Sequence, residues 1–208
     1  MPTRKFKSRS GVAIVEFSMS LLFLTPLLLG AFVFGFRLVC SIQMMQITRD
    51  LGHMYIEGIN FRNTGPISNA QTLASGFNLT SSGSSVVILS EVKVEQQSDC
   101  DAANIAPAGK PCANLGQPVF VEQLTIGNTS SGSSAFGTPP TTTVNGVTNE
   151  VTSVNQASSS SAVASGFNSV LALNAGEIAY VAEMVNQTPA LNIPGFSGEP
   201  LVYARTIF

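Results

Sequence analysis

The chain has 208 residues, room for one domain beyond a membrane segment, and only 11% of them are charged, against about 25% in an average soluble domain. Its net charge of −2 hides an asymmetry: Arg4, Lys5, Lys7 and Arg9 crowd the first nine positions, whereas from Val12 onward six basic residues face twelve acidic ones. Such a remainder carries no basic patch, which excludes sequence-independent attraction to nucleic-acid phosphate as its mode of action.

The first predicted element is a basic leader, residues 1–11, followed by a transmembrane helix over 12–39. Phe17 to Phe36 is a run of twenty residues without a charge, the length an α-helix needs to cross about 30 Å of hydrocarbon. The cations before it set the topology, with the N-terminus in the cytoplasm and the remainder outside. Pro26 lies inside the run and predicts a kink or local loosening rather than an end, because transmembrane helices tolerate proline. A cleaved secretory signal has a shorter apolar core and a small-x-small cut site. A lipoprotein signal ending at Cys40 would need small residues where Arg37 and Val39 stand. A generic anchor leaves Glu16 unexplained.

Glu16 is a carboxylate at the edge of hydrocarbon, expensive to keep there and therefore a functional candidate. It stands in Gly11-Val12-Ala13-Ile14-Val15-Glu16-Phe17, preceded by Arg9-Ser10. This stretch resembles the class III prepilin signals, which have a short basic leader ending in glycine and a hydrophobic helix with Glu at its fifth mature position. The resemblance implies cleavage after Gly11, so that Val12 becomes the N-terminus and Glu16, beside Phe17, the fifth residue. In a bundle of such subunits the Glu16 carboxylate can pair with a neighbour's new α-amine, which offsets the burial of both charges and sets axial register.

Past the membrane the helix is predicted to extend over 40–62. Leu38, Ile42, Met45 and Arg49 recur at helical spacing, and Met44, Ile47, Leu51, Met54 and Ile56 make a broad apolar face. That face either packs on the chain's own domain or offers a Met-rich partner surface. His53, the lone histidine, reads as a structural or surface residue.

Residues 63–208 are predicted as a small extracytoplasmic domain. A short helix is expected over Asn69–Phe77, and strands over Val86–Glu95 and Pro118–Ile126, the second half of the first alternating apolar and charged residues as a half-buried strand does. The two read as an antiparallel pair. Between them, Cys100 and Cys112 enclose a loop with Pro107, Gly109 and Pro111 that can close as a disulfide in an oxidising compartment; two unrelated thiols are the alternative. One histidine and no close cysteine pair argue against a metal site. Residues 127–166 are rich in Ser, Thr, Gly and Asn, too poor in apolar surface to offset ordering, and are assigned to an exposed, flexible loop. Gly176–Val185 is ambiguous in period and read as a strand, and Pro200–Phe208 adds another. The fold class is thus α+β, a long N-terminal hydrophobic helix extending into a small antiparallel sheet.

Nothing in the chain reads as catalytic. Glu91, Glu95, Asp99 and Asp101 are solvated charges on a strand and its turn, and no serine sits in a Gly-x-Ser-x-Gly context. No cofactor, metal or small-molecule substrate is expected.

The chain resembles the TadE-like minor pseudopilins of the tight-adherence (Tad, Flp-type) pilus system. The resemblance rests on Ser10–Phe17, on Leu27-Leu28-Leu29-Gly30 and Phe34-Gly35-Phe36-Arg37, and on Gly176-Glu177 leading to Tyr180-Val181-Ala182-Glu183 after a low-complexity stretch. It implies a bacterial inner-membrane protein, processed by prepilin peptidase and acting with other Tad pilins and pseudopilins in pilus assembly and surface adhesion. Two features depart from the pattern. Major Tad pilins are little more than a short helix, and minor pseudopilins are more often basic at the C-terminus than Arg205-Thr206-Ile207-Phe208. The competing reading is an uncleaved, single-pass membrane-anchored adhesin or envelope binding protein.

Overall fold

The computed structural model describes residues 10–187 and 201–208. Helix α1, Ser10–Ile56, spans 47 residues and runs through Pro26 without ending. It stops six residues short of the expected 62, and the cause is local. Gly58 takes φ +80°, Gly58 N–H donates to Tyr55 O, and Ile59 N–H donates to Met54 O. This pair of bonds is the Schellman stop, which calls for a glycine in the left-handed region. Ile59 then packs against the core beside the helix end.

Helix α2, Thr64–Leu73, starts earlier than the Asn69–Phe77 expected. Gly65-Pro66 reads as a breaker, but proline in a first turn has no intrahelical bond to lose. After it come strand β1, Ser85–Val94, helix α3, Gln97–Ala103, and strand β2, Pro118–Gly127. Helix α4, Ser153–Ser158, precedes strands β3, Ile178–Gln187, and β4, Leu201–Ile207. Pro200, at the start of the predicted last strand, lies outside the described residues. The four strands form one sheet in the order β2-β1-β3-β4, every neighbouring pair antiparallel. The molecule is α+β, with its sheet packed on the distal half of the long helix.

Both faces of that sheet are covered. On one, Val87 and Leu89 of β1, Leu124 and Ile126 of β2, and Ala182 and Met184 of β3 meet Met44, Ile47, Leu51 and Tyr55 of α1. On the other, Val92, Phe120, Ala179 and Val181 meet Phe136, Val151, Ala162, Ala164 and Phe167. A bulge in β2 beside the Glu91/Val92 step permits this: Glu91 pairs with Glu122 but Val92 with Phe120, so Val121 is the extra residue and Phe120 turns to the second face.

The second face corrects the reading of 127–166. That segment is a covering layer, not an exposed flexible loop. Phe136, Val151, Ala157, Ala162 and Ala164 are buried, bridges join Val119 to Val163 and Glu122 to Glu150, and α4 lies within it. Its apolar residues are few but are placed where the sheet needs them. Its polar groups are hydrogen-bonded in place: Asn114 Nδ2 donates to the carbonyls of Gln156 and Ser159 (both 2.8 Å) and Gln156 Nε2 to Val151 O. Buried backbone satisfied in this way does not oppose packing.

Candidate functional site

Two stretches of α1 meet different surroundings. From Gly11 to Val39 no side chain is buried, and large apolar groups stand out on all sides, among them Ile14, Phe17, Phe23, Leu27 and Phe34. One stretch is long and apolar enough to span a membrane. Two hydroxyls within it are satisfied by the helix itself: Ser18 Oγ donates to Ile14 O and Ser20 Oγ to Glu16 O, both at 2.9 Å. Returning a hydroxyl to its own helix is how serine is accommodated where no solvent can serve it. From Cys40 onward the buried positions are Cys40, Met44, Ile47, Thr48, Leu51, Gly52 and Tyr55, spaced by one helical face.

The residues of the prepilin-like motif occupy the first turns of α1. Gly11, Val12, Glu16 and Phe17 are all exposed, and a Cβ at Gly11 would meet nothing within 4 Å. The Gly11–Val12 bond is thus unshielded by the domain, which lies at the other end of the helix. Glu16 makes no ion pair among the described residues. Arg4, Lys5, Lys7 and Arg9, assigned to topology, lie outside the described residues.

Cys100, in α3, and Cys112 are joined as a disulfide with their Cα atoms 5.4 Å apart. The helix that presents Cys100 begins with a capping box between Gln96 and Asp99, in which Gln96 N–H donates to Asp99 Oδ2 at 3.2 Å. The loop is held independently by Asp101, whose Oδ1 accepts from Gly109 N–H and Gln97 Nε2, both at 2.9 Å. Those two bonds, the Gly109 one first, hold its carboxyl below the ordinary range. Glu95 is buried beside the disulfide, with donor atoms of Glu95, Cys100 and Cys112 all within 4.8 Å of one another. Two sulfurs bonded to each other offer no thiolate to a metal. Glu95 is met instead by Lys93 Nζ at 3.7 Å, which also reaches Asp99 at 3.3 Å. Burial raises the Glu95 carboxyl above its usual value, with Lys93 opposing.

A polar cluster that sequence reasoning missed lies where α1 leaves the sheet. Glu91 and Glu122 sit directly opposite each other on adjacent strands, and like charges so placed repel. Arg62, from the α1–α2 connection, pairs with Glu122 and lies 3.9 Å from Glu150. Tyr55 OH donates to Glu122 Oε2 at 3.1 Å, and Tyr180 packs edge-on against Tyr55. Burial first, then Glu122 and Glu150, raise Glu91; burial also raises Glu122, against the pull of Arg62. The surrounding cleft, about 280 Å³, holds this pairing rather than a nucleophile with its base. The signal in the sequence was Glu91 itself, a charge at an inward-facing position of β1.

The Gly176–Glu183 motif also acquires a physical role. Gly176 turns the chain into β3 at φ +83°, and Glu177 holds that turn by accepting from the Asn174 backbone and side chain. Glu183, fully buried, accepts from Ala135 N–H at 3.0 Å and from Tyr203 OH. One carboxylate thereby ties the covering layer and β4 to β3. His53 packs edge-on against Phe208, as a structural residue does.

No protein-family model, curated protein or solved structure matches this chain.

Proposed function

We propose that this protein is a minor pseudopilin of a Tad-type pilus: a single-pass protein of the bacterial inner membrane, N-terminus inside, processed by prepilin peptidase after Gly11 and acting without catalysis in pilus assembly and adhesion. The observation that carries the reading is Glu16, an acid without an intramolecular ion pair among the described residues, just beyond a glycine and at the start of the uncharged, exposed run Phe17–Phe36. A neighbour's α-amine is the partner that such a carboxylate lacks, and pairing across subunits offsets the cost of both charges in lipid. The accessible Gly11–Val12 bond and the long lever between it and the domain support the same reading.

Intact-mass analysis of the protein extracted from membranes of cells with an active prepilin peptidase tests it. The expected mass lacks residues 1–11. Replacing Gly11 by a bulkier residue blocks that maturation, whereas Glu16→Ala matures normally and fails in assembly. Normal maturation of the Gly11 variants removes the cleavage claim and leaves an uncleaved anchored protein.

A further inference from the structure

At the distal end of the uncharged stretch of α1 a groove of about 490 Å³ opens between the helix and the domain, within the roughly 300–1,000 Å³ of small-ligand sites. Phe32, Val33 and Phe36 line it from the helix and Phe77 from the α2–β1 connection, with Arg37 and Gln43 alongside. Its lower part continues the lipid-facing surface of α1. Arg37 is the one charged residue among the described lining, and it makes no ion pair among the described residues. Ser84 and Asn186, on the sheet side, are hydrogen-bonded to each other at 3.4 Å.

We propose that this groove binds one phospholipid, its phosphate on Arg37 and an acyl chain along Phe32, Val33 and Phe36. The proposal rests on the membrane reading of α1. At that level water in an apolar groove finds too few partners, and an empty groove forfeits the contacts of its walls. Hydrocarbon meets neither cost. Arg37 calls for an anion at the membrane surface, and its planar fork suits a phosphate. A second copy of this helix would bring another Arg37 against the first, so charge complementarity favours the lipid.

The test is the phospholipid retained by the full chain, purified from membranes in mild detergent, measured as lipid phosphorus per chain and identified by mass spectrometry. About one phospholipid per chain is expected, the count a single site gives. Arg37→Gln cuts retention about tenfold, the order of one lost charge-assisted pair, and Val33→Trp, which fills the groove, does the same. Phe34→Trp adds the same ring outside the groove lining and retains the lipid. Equal retention in all variants, no retained lipid in the membrane-extracted protein, or a dimer without lipid each overturns the site while leaving the membrane reading intact. Recovery of the protein from cells without detergent overturns both.

Discussion

Phe34 and Leu51 are large apolar side chains on the same helix, yet Phe34 is 72% exposed and Leu51 fully buried. The difference lies in what stands opposite them. Between Val12 and Val39 the helix carries large apolar side chains on every face, with Glu16 and Arg37 its only charges, and the domain reaches only its distal end, around Phe32 to Val39; such a rod is suited to lipid as its solvent. From Cys40 to Ile56 one face is apolar and meets the sheet, while Gln43, Gln46, Arg49 and Asp50 occupy the others. A single helix thus carries two folding problems, and only the distal one is solved by the protein's own core.

Breaking the core should therefore act on the domain and spare the rod. Phe136→Ala removes the ring that the covering layer sets against Phe167, and should cost about 3–5 kcal/mol in chemical denaturation of the detergent-solubilised protein. A freely exposed loop would lose nothing. Leu51→Ala should cost about 2–5 kcal/mol by the same measure, whereas Leu22→Ala, at a position 69% exposed, should leave the domain's unfolding midpoint unchanged. Replacing Cys100 and Cys112 by serine should lower stability by about 2–3 kcal/mol, the loop-closure entropy of so short a ring. The same shift should appear when the unaltered protein is treated with a strong reductant.

A smaller effect concerns the acidic pair at the helix exit. Glu91 and Glu122 have carboxyls raised above the ordinary value of 4.5 by burial, so the folded state holds their protons more tightly than the unfolded state does. Their contribution is therefore most favourable below that value and is lost as pH rises through the raised ones. Glu91→Gln removes one member of the opposed pair. It should raise the melting temperature at neutral pH and change it less in acid, below the ordinary carboxyl value, where protonation weakens the repulsion; an equal gain at both pH values would remove the electrostatic explanation.

The elements legible in the sequence were those whose signal is local. The uncharged run announced a helix long and apolar enough to span a membrane, and alternation in Val92–Glu95 and the Tyr-Val content of 178–185 announced strands. The strand over Val86–Glu95 reads as half-buried, yet the apolar run Val86-Val87-Ile88-Leu89 is what a strand covered on both faces needs. Residues 127–166 were misread because composition averages over a segment, while packing depends on where its few apolar side chains fall. Phe136, Val151 and Ala164 lie far apart in the chain and come together only when β2, β1 and β3 are assembled. The Arg62–Glu122–Glu150 contacts were invisible for the same reason. Where α1 ends was decided by one glycine, whose left-handed turn outweighed an apolar spacing that continued past it.

Tryptophan fluorescence in bilayers tests the two-solvent account of α1 most directly, since the chain contains no tryptophan of its own. Phe23→Trp and Ile56→Trp place one reporter on each part of the helix, about 50 Å apart at the rise of an α-helix. With phospholipid brominated in its acyl chains, the account predicts strong quenching of the Phe23 variant and none of the Ile56 variant. Equal quenching of both, or none at Phe23, would contradict it.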